Sequence, residues 1–104
     1  MTNIDLSFLC GLLGGDETLV QRFIGIFKSQ TPELLAQIRQ GFEMQDWYTV
    51  SVVAHSLKSQ SLYFGLAQLA GLAEQVELDP QAPETAGRLL DLEKHMNTVL
   101  RNLG

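Results

Sequence analysis

From residue 19 onward the apolar positions of this chain return every three or four residues, and no stretch alternates in the manner of a strand. Leu19, Phe23, Ile26, Phe27, Leu34, Leu35, Ile38 and Phe42 share one face of a helical period, which predicts one long amphipathic helix or two abutting ones. Pro32 falls inside this run and removes the hydrogen bond to the carbonyl of Lys28, so a kink near Thr31 is expected, with a full break as the alternative. Upstream, residues 4–13 form a short apolar piece ended by Gly14-Gly15, a natural helix stop. Asp16 is placed to cap the next helix, with Glu17 in its favourable first turn. The glycines of "GLLGGD" make a poor phosphate loop, because no strand precedes them and no lysine follows.

Downstream, Asp46 is a second N-cap, and Trp47, Val50, Val53, Ala54, Leu57 and Ser61 set an inward stripe that should stop before Gly65. Leu66, Leu69, Ala70, Ala73 and Val76 begin another helix. "ELDPQAP" (77–83) carries two prolines and reads as a loop. A last helix is expected from about Glu84 to Arg101, with Leu89, Leu92, Met96, Val99 and Leu103 inward. The pattern predicts an all-α fold: an antiparallel four-helix bundle with a short extra N-terminal helix, its short connections making neighbours antiparallel. At 104 residues the chain has the length of one domain, residues 1–104.

Composition narrows the function classes. The chain is 45% hydrophobic, enough for one small core and too much for a disordered chain. A net charge of −5 without any cluster of Lys or Arg argues against nucleic acid and against anionic membranes, leaving a protein as the expected partner. The lone Cys10 can form no intramolecular disulfide and has no neighbouring base or cation to activate it, which fits a buried apolar role in a reducing compartment. The N-terminus lacks a basic region before its apolar stretch, and no run approaches the roughly 18 apolar residues of a membrane span. A cytoplasmic protein is expected.

The candidate chemistry sits in "AHSLKSQSLYFG", which holds one of the two histidines. His55 lies roughly 140° from the centre of its helix's inward stripe, so it faces outward. Its outer-face neighbours are Tyr48, Ser51, Val52, Lys58, Ser59 and Leu62, and the apolar Val52 and Leu62 among them suggest a docking surface. Lys58, one turn on, would stabilise an anion on the ring nitrogen. This suits a histidine that accepts a phosphoryl group, although a His and a Lys three apart on a solvated face often carry no function. Metal binding is weaker: His55 and His95 have no HxxxH or ExxH companion, and Cys10 is distant in sequence. His95, at the edge of the last helix's stripe, reads as a surface residue. No serine sits in a strand–turn–helix elbow, and no nucleotide-binding loop is present, so neither a hydrolase nor a self-sufficient kinase is indicated.

"AHSLKSQSLYFGLAQLAGLAEQVE" resembles the signature of histidine-containing phosphotransfer (HPt) domains, roughly AHxLKG followed by a glycine and a leucine and ending in a Leu/Val-Glu or Gln pair. "LLGGDETLVQRFIGIFKSQTPELLAQI" and "GFEMQDWYTVSVVAHSLK" are similar to the family's approach to its histidine, and the likeness covers about residues 6–78. The resemblance implies a four-helix bundle with His55 as the phosphorylated residue. It implies Lys58 as the cation near the phosphoryl oxygens, Glu77 as the group that orients the imidazole, and Gly65 as the turn between the hairpin helices. One position departs: the family's glycine after the lysine is Ser59 here, still small enough for a partner to approach.

The implied activity is that of a phosphocarrier and not an enzyme. His55 would take a phosphoryl group from a phospho-Asp receiver domain or hybrid sensor kinase and pass it to the receiver Asp of a response regulator. No cofactor is expected on this chain; the Mg2+ would be the receiver's. Docking would use Tyr48, Ser51, Val52, Ser59 and Leu62, and a monomer would suffice. The alternative is a non-phosphorylated helical adaptor that binds receivers through the same face.

Overall fold

The computed structural model describes residues 6–103 and contains α1 (Ser7–Leu12), α2 (Glu17–Glu43), α3 (Trp47–Tyr63), α4 (Ala67–Leu78) and α5 (Thr85–Asn102). No strand occurs among the described residues. The expected start of the first helix at residue 4 lies outside them. The caps fall where the sequence puts them. Asp16 accepts from the Thr18 and Leu19 amides, and Asp46 accepts from the Thr49 amide and, at 2.7 Å, from the Thr49 hydroxyl.

Cross-helix partners fix the hairpins. Between α2 and α3, Phe27 packs on Phe64, Thr31 meets Gln60, and Gly41 lies against Thr49 and Val50. Between α3 and α4, Ser51 and His55 meet Glu77 while Lys58 meets Glu74. In both pairs one number rises as the other falls, so each pair is antiparallel. The α4 helix packs on α5, and α5 returns to α2, where Arg39 and Glu93 form an ion pair. The resulting helical bundle encloses Leu9, Phe27, Ile38, Val50, Leu57, Val76, Leu89, Leu92, Met96 and Val99, each at most 2% exposed.

The α3 stripe is buried as expected except for Trp47, which is half-buried, and Leu66, Leu69, Ala70, Ala73 and Val76 are all buried. Ser61 tolerates its core position by donating to the Leu57 carbonyl at 2.7 Å. At Pro32 the single long helix holds and the alternative of a full break does not: α2 is unbroken. Lys28, Ser29 and Pro32 all lie on its exposed side, where water can reach the freed Lys28 carbonyl. Leu103 is half-buried and packs against the end of the core, inward as expected. Two expectations need correction. First, Phe23 and Ile26 are exposed, at 38% and 43%. The buried line is Val20, Ile24, Phe27, Thr31, Leu35, Ile38 and Gly41, and Phe23 and Ile26 flank it. Second, α4 continues to Leu78, so the loop is residues 79–84, stapled by the Thr85 hydroxyl on the Asp79 carbonyl.

At Gly41 an added Cβ would meet the Cγ2 atoms of Thr49 and Val50, both at 3.3 Å. The helix-propensity gain of Gly→Ala, about 1 kcal/mol, competes with an overpacking cost of about 1–3 kcal/mol. Val50 is fully buried and cannot yield freely. Gly41→Ala should therefore destabilise by about 1 kcal/mol, read as a lower urea midpoint.

A pH effect follows from the α3 cap. The Thr49 hydroxyl, and then the Thr49 amide, hold the Asp46 carboxyl below its ordinary value. A folded value below the unfolded one stabilises at neutral pH, and that contribution is lost as pH falls through the folded value. Asp46→Asn keeps a competent cap without the titration. Its stability should fall less steeply between about pH 5 and pH 2 than that of the unchanged chain, as urea midpoints would record.

Candidate functional site

Helix α3 presents His55 because its inward face is taken by Val53, Ala54 and Leu57, leaving the imidazole side chain 58% exposed. Its surroundings are set by α4. Gly65, at φ 69°, closes α3 with Leu66 N–H bonded to the Ser61 carbonyl at 2.9 Å, and so sends α4 back alongside. The last turn of α4 carries Glu77 to the histidine, with its Oε2 2.8 Å from His55 Nδ1. A carboxylate only accepts, so Nδ1 bears the hydrogen, and in the neutral ring the lone pair lies on Nε2. Ser51 ties the same place down by donating to the Glu77 carbonyl at 2.7 Å.

Lys58 is engaged rather than free. Its Nζ lies 3.5 Å from Glu77 Oε1 and 3.7 Å from Glu74 Oε1, and its side chain is 22% exposed. Glu77 Oε1 is buried without a hydrogen bond, so the Lys58 ammonium is its only compensating charge among the described residues. Glu77 thus joins two groups, with Oε2 on the imidazole and Oε1 toward the ammonium.

Around this centre Tyr48 is 80% exposed, Leu62 50% and Val52 47%. A shallow depression of about 300 Å³ is lined by Tyr48, Ser51, Val52, His55, Ser56 and Glu77. Ser59 is half-buried one turn beyond His55. Of the docking residues read from the sequence, Tyr48, Ser51 and Val52 border the depression, while Ser59 and Leu62 lie farther along α3. Sequence reasoning missed Ser56, which follows His55 and lines the same depression, and Glu74. Glu74 stands one helical turn before Glu77, a spacing that was available as a signal once α4 was known to continue. A larger groove of about 380 Å³ between α2 and α5 contains none of these residues. His95 is exposed on α5.

An exposed imidazole with one nitrogen held by a carboxylate, in a shallow and partly apolar surface, suits chemistry that a second protein completes. The family described as Hpt domain matches residues 22–102. The chain belongs to the Hpt domain family. The match begins inside α2 and takes in α5, which lies past the end of the motif likeness at about residue 78. Membership places this Hpt domain in two-component phosphotransfer, where such domains act as phosphate carriers and interact with response-regulator receiver domains. Comparison with curated proteins and with solved structures gives no match. No helix among the described residues is long and apolar enough to cross a membrane.

Proposed function

We propose that this Hpt domain carries a phosphoryl group on His55 Nε2, taking it from a phospho-Asp receiver domain or hybrid sensor kinase and giving it to a response-regulator receiver. The supporting observation is the 2.8 Å contact between His55 Nδ1 and Glu77 on a ring that is otherwise open to solvent. In the transfer the Nε2 lone pair attacks phosphorus, the N–P bond forms, and the O–P bond of the acyl phosphate breaks. The donor carboxylate leaves with the electron pair. The ring then carries positive charge with its hydrogen still on Nδ1, and the Glu77 carboxylate facing that hydrogen offsets the charge. Reversal of the same steps discharges the group to a second receiver.

This chain supplies the nucleophile, its orientation and a cation. The Mg2+ and acidic pocket belong to the receiver, since phosphoryl transfer rests on positioning and charge neutralisation. Tyr48, Ser51, Val52, Ser59 and Leu62 form the docking face, with Ser59 admitting the receiver where the family has glycine. A small patch of this kind suits the transient contacts of a relay, and a monomeric, cytoplasmic carrier is sufficient.

The test is intact-mass measurement after incubation with phosphoramidate, for the unchanged chain, His55→Gln and His95→Gln. A single acid-labile phosphoryl adduct lost only in His55→Gln is expected. An adduct that survives in His55→Gln, or none on any variant even with a phosphorylated receiver as donor, would contradict the proposal.

A further inference from the structure

Lys58 and Glu74 add something that acceptance by His55 does not require. The Lys58 ammonium reaches two carboxylates of α4, and no phosphoryl group is needed to hold it there. A phosphoryl group on Nε2 would add nearly two negative charges beside a cluster that already has two carboxylates and one ammonium. Glu77 cannot be spared from that cluster, because its Oε2 holds Nδ1 and its buried Oε1 depends on Lys58. Glu74 has neither duty. Its side chain is 53% exposed, and it pairs with Lys58.

We propose that Glu74 is a positioning residue that sets the transfer potential of phospho-His55 by competing with the phosphoryl group for Lys58. The inference rests on His55 being the acceptor. With Glu74 present, the ammonium must leave or share a carboxylate before it can serve the phosphoryl oxygens, and Glu74's own charge opposes the incoming dianion. Both effects disfavour the phosphorylated state, so the carrier gives up its cargo more readily. Removing the charge reverses both, and the two changes have the same sign. The exposure of Glu74 keeps the effect modest. A solvent-exposed charge pair contributes little, which corresponds to roughly a two- to fivefold change in an equilibrium constant.

The experiment is phosphoryl exchange with a small-molecule donor, N-phosphoimidazole, in excess imidazole. The P–N bond of the donor breaks, one forms at His55 Nε2, and free imidazole is released, so the exchange constant reports the protein environment of the ring alone. Intact mass gives phosphorylated and free chain at each imidazole concentration. Glu74→Gln is expected to shift the constant about two- to fivefold toward the phosphorylated chain, and Glu74→Lys further in the same direction. Glu74→Asp, which keeps the charge, should stay near the unchanged chain. Glu43→Gln, which alters net charge equally in the α2–α5 groove, should leave it unmoved. The shift should shrink when salt rises from about 0.05 to about 0.5 M, a response that loss of packing would not give. Adducts that form on every variant with one common exchange constant at low salt would overturn this inference while leaving His55 as the acceptor. Absence of an adduct from every variant, with a phosphorylated receiver also tried, would instead overturn the carrier reading and this inference with it.

Discussion

Glu77→Ala is expected to slow phosphoryl uptake by at least about twofold and up to about a hundredfold while leaving the fold intact. The change removes the hydrogen bond that fixes the hydrogen on Nδ1 and the lone pair on Nε2. A hydrogen bond to a charged group contributes about 1.5–3 kcal/mol, or roughly ten- to a hundredfold in rate if it is fully expressed in the transition state. A second effect runs the other way. Loss of the carboxylate removes a negative charge near the incoming phosphoryl group and leaves Lys58 less occupied, which returns at most about fivefold at a surface site. Orientation therefore wins, and the net result is slower uptake. Glu77→Gln should recover part of the loss, because its amide oxygen still accepts from Nδ1–H but brings no charge to balance the phosphorylated ring. The measurement is the initial rate of adduct formation with phosphoramidate, alongside a circular dichroism spectrum. An unchanged rate in Glu77→Ala would mean that the Nδ1 contact does not govern reactivity.

Leu57→Ala should produce the largest loss of stability, about 2–5 kcal/mol. Leu57 is fully buried in the middle of α3, two residues beyond His55 and on the opposite face. Its removal subtracts the transfer free energy of the lost methyl and methylene groups and adds the penalty of a cavity among α2, α3 and α4. Against a typical total of about 5–15 kcal/mol, this approaches unfolding. The site chemistry should persist in whatever fraction stays folded, so adduct formation per folded molecule should match the unchanged chain. A urea midpoint close to that of the unchanged chain would show that the α3 core is looser than the full burial of Leu57 implies.

Most of what positions the site was legible in the sequence. The Asp16 and Asp46 caps, the α3 stripe, the stop before Gly65 and the outward direction of His55 depend on short-range rules of helix period and end chemistry, and each holds. The misreadings arise where a local rule meets tertiary structure. Phe23 and Ile26 satisfy the helical period as well as Ile24 does, and only tertiary packing decides which of the three is buried. At Pro32 the expectation of one long helix holds, and the residue falls on the exposed side of α2. The two prolines of 77–83 suggested that the loop began at Glu77, yet Glu77 and Leu78 remain helical because proline restricts the residues just before it without unwinding a preceding turn.

Lys58 shows the same limit at the site itself. Its spacing from His55 places the two on one face of α3, but the sequence does not disclose that Glu74 and Glu77 come across from α4 to meet it. The reading of Glu77 as the group beside the imidazole came from family likeness, and the 2.8 Å contact gives it a geometry. Glu74 came from neither source, because an exposed glutamate on an amphipathic helix is indistinguishable from solvating charge until its partner is known.

The central claim, that His55 Nε2 is the atom that carries the phosphoryl group, is tested most directly by nitrogen–phosphorus correlation NMR. The sample is the 15N-histidine-labelled chain, phosphorylated by a phospho-Asp receiver domain. A single phosphorus resonance coupled to Nε2 of His55, with Nδ1 retaining its hydrogen, is the predicted result. Phosphorus on Nδ1, or on His95, or on no histidine while the receiver loses its phosphoryl group only to water, would contradict it.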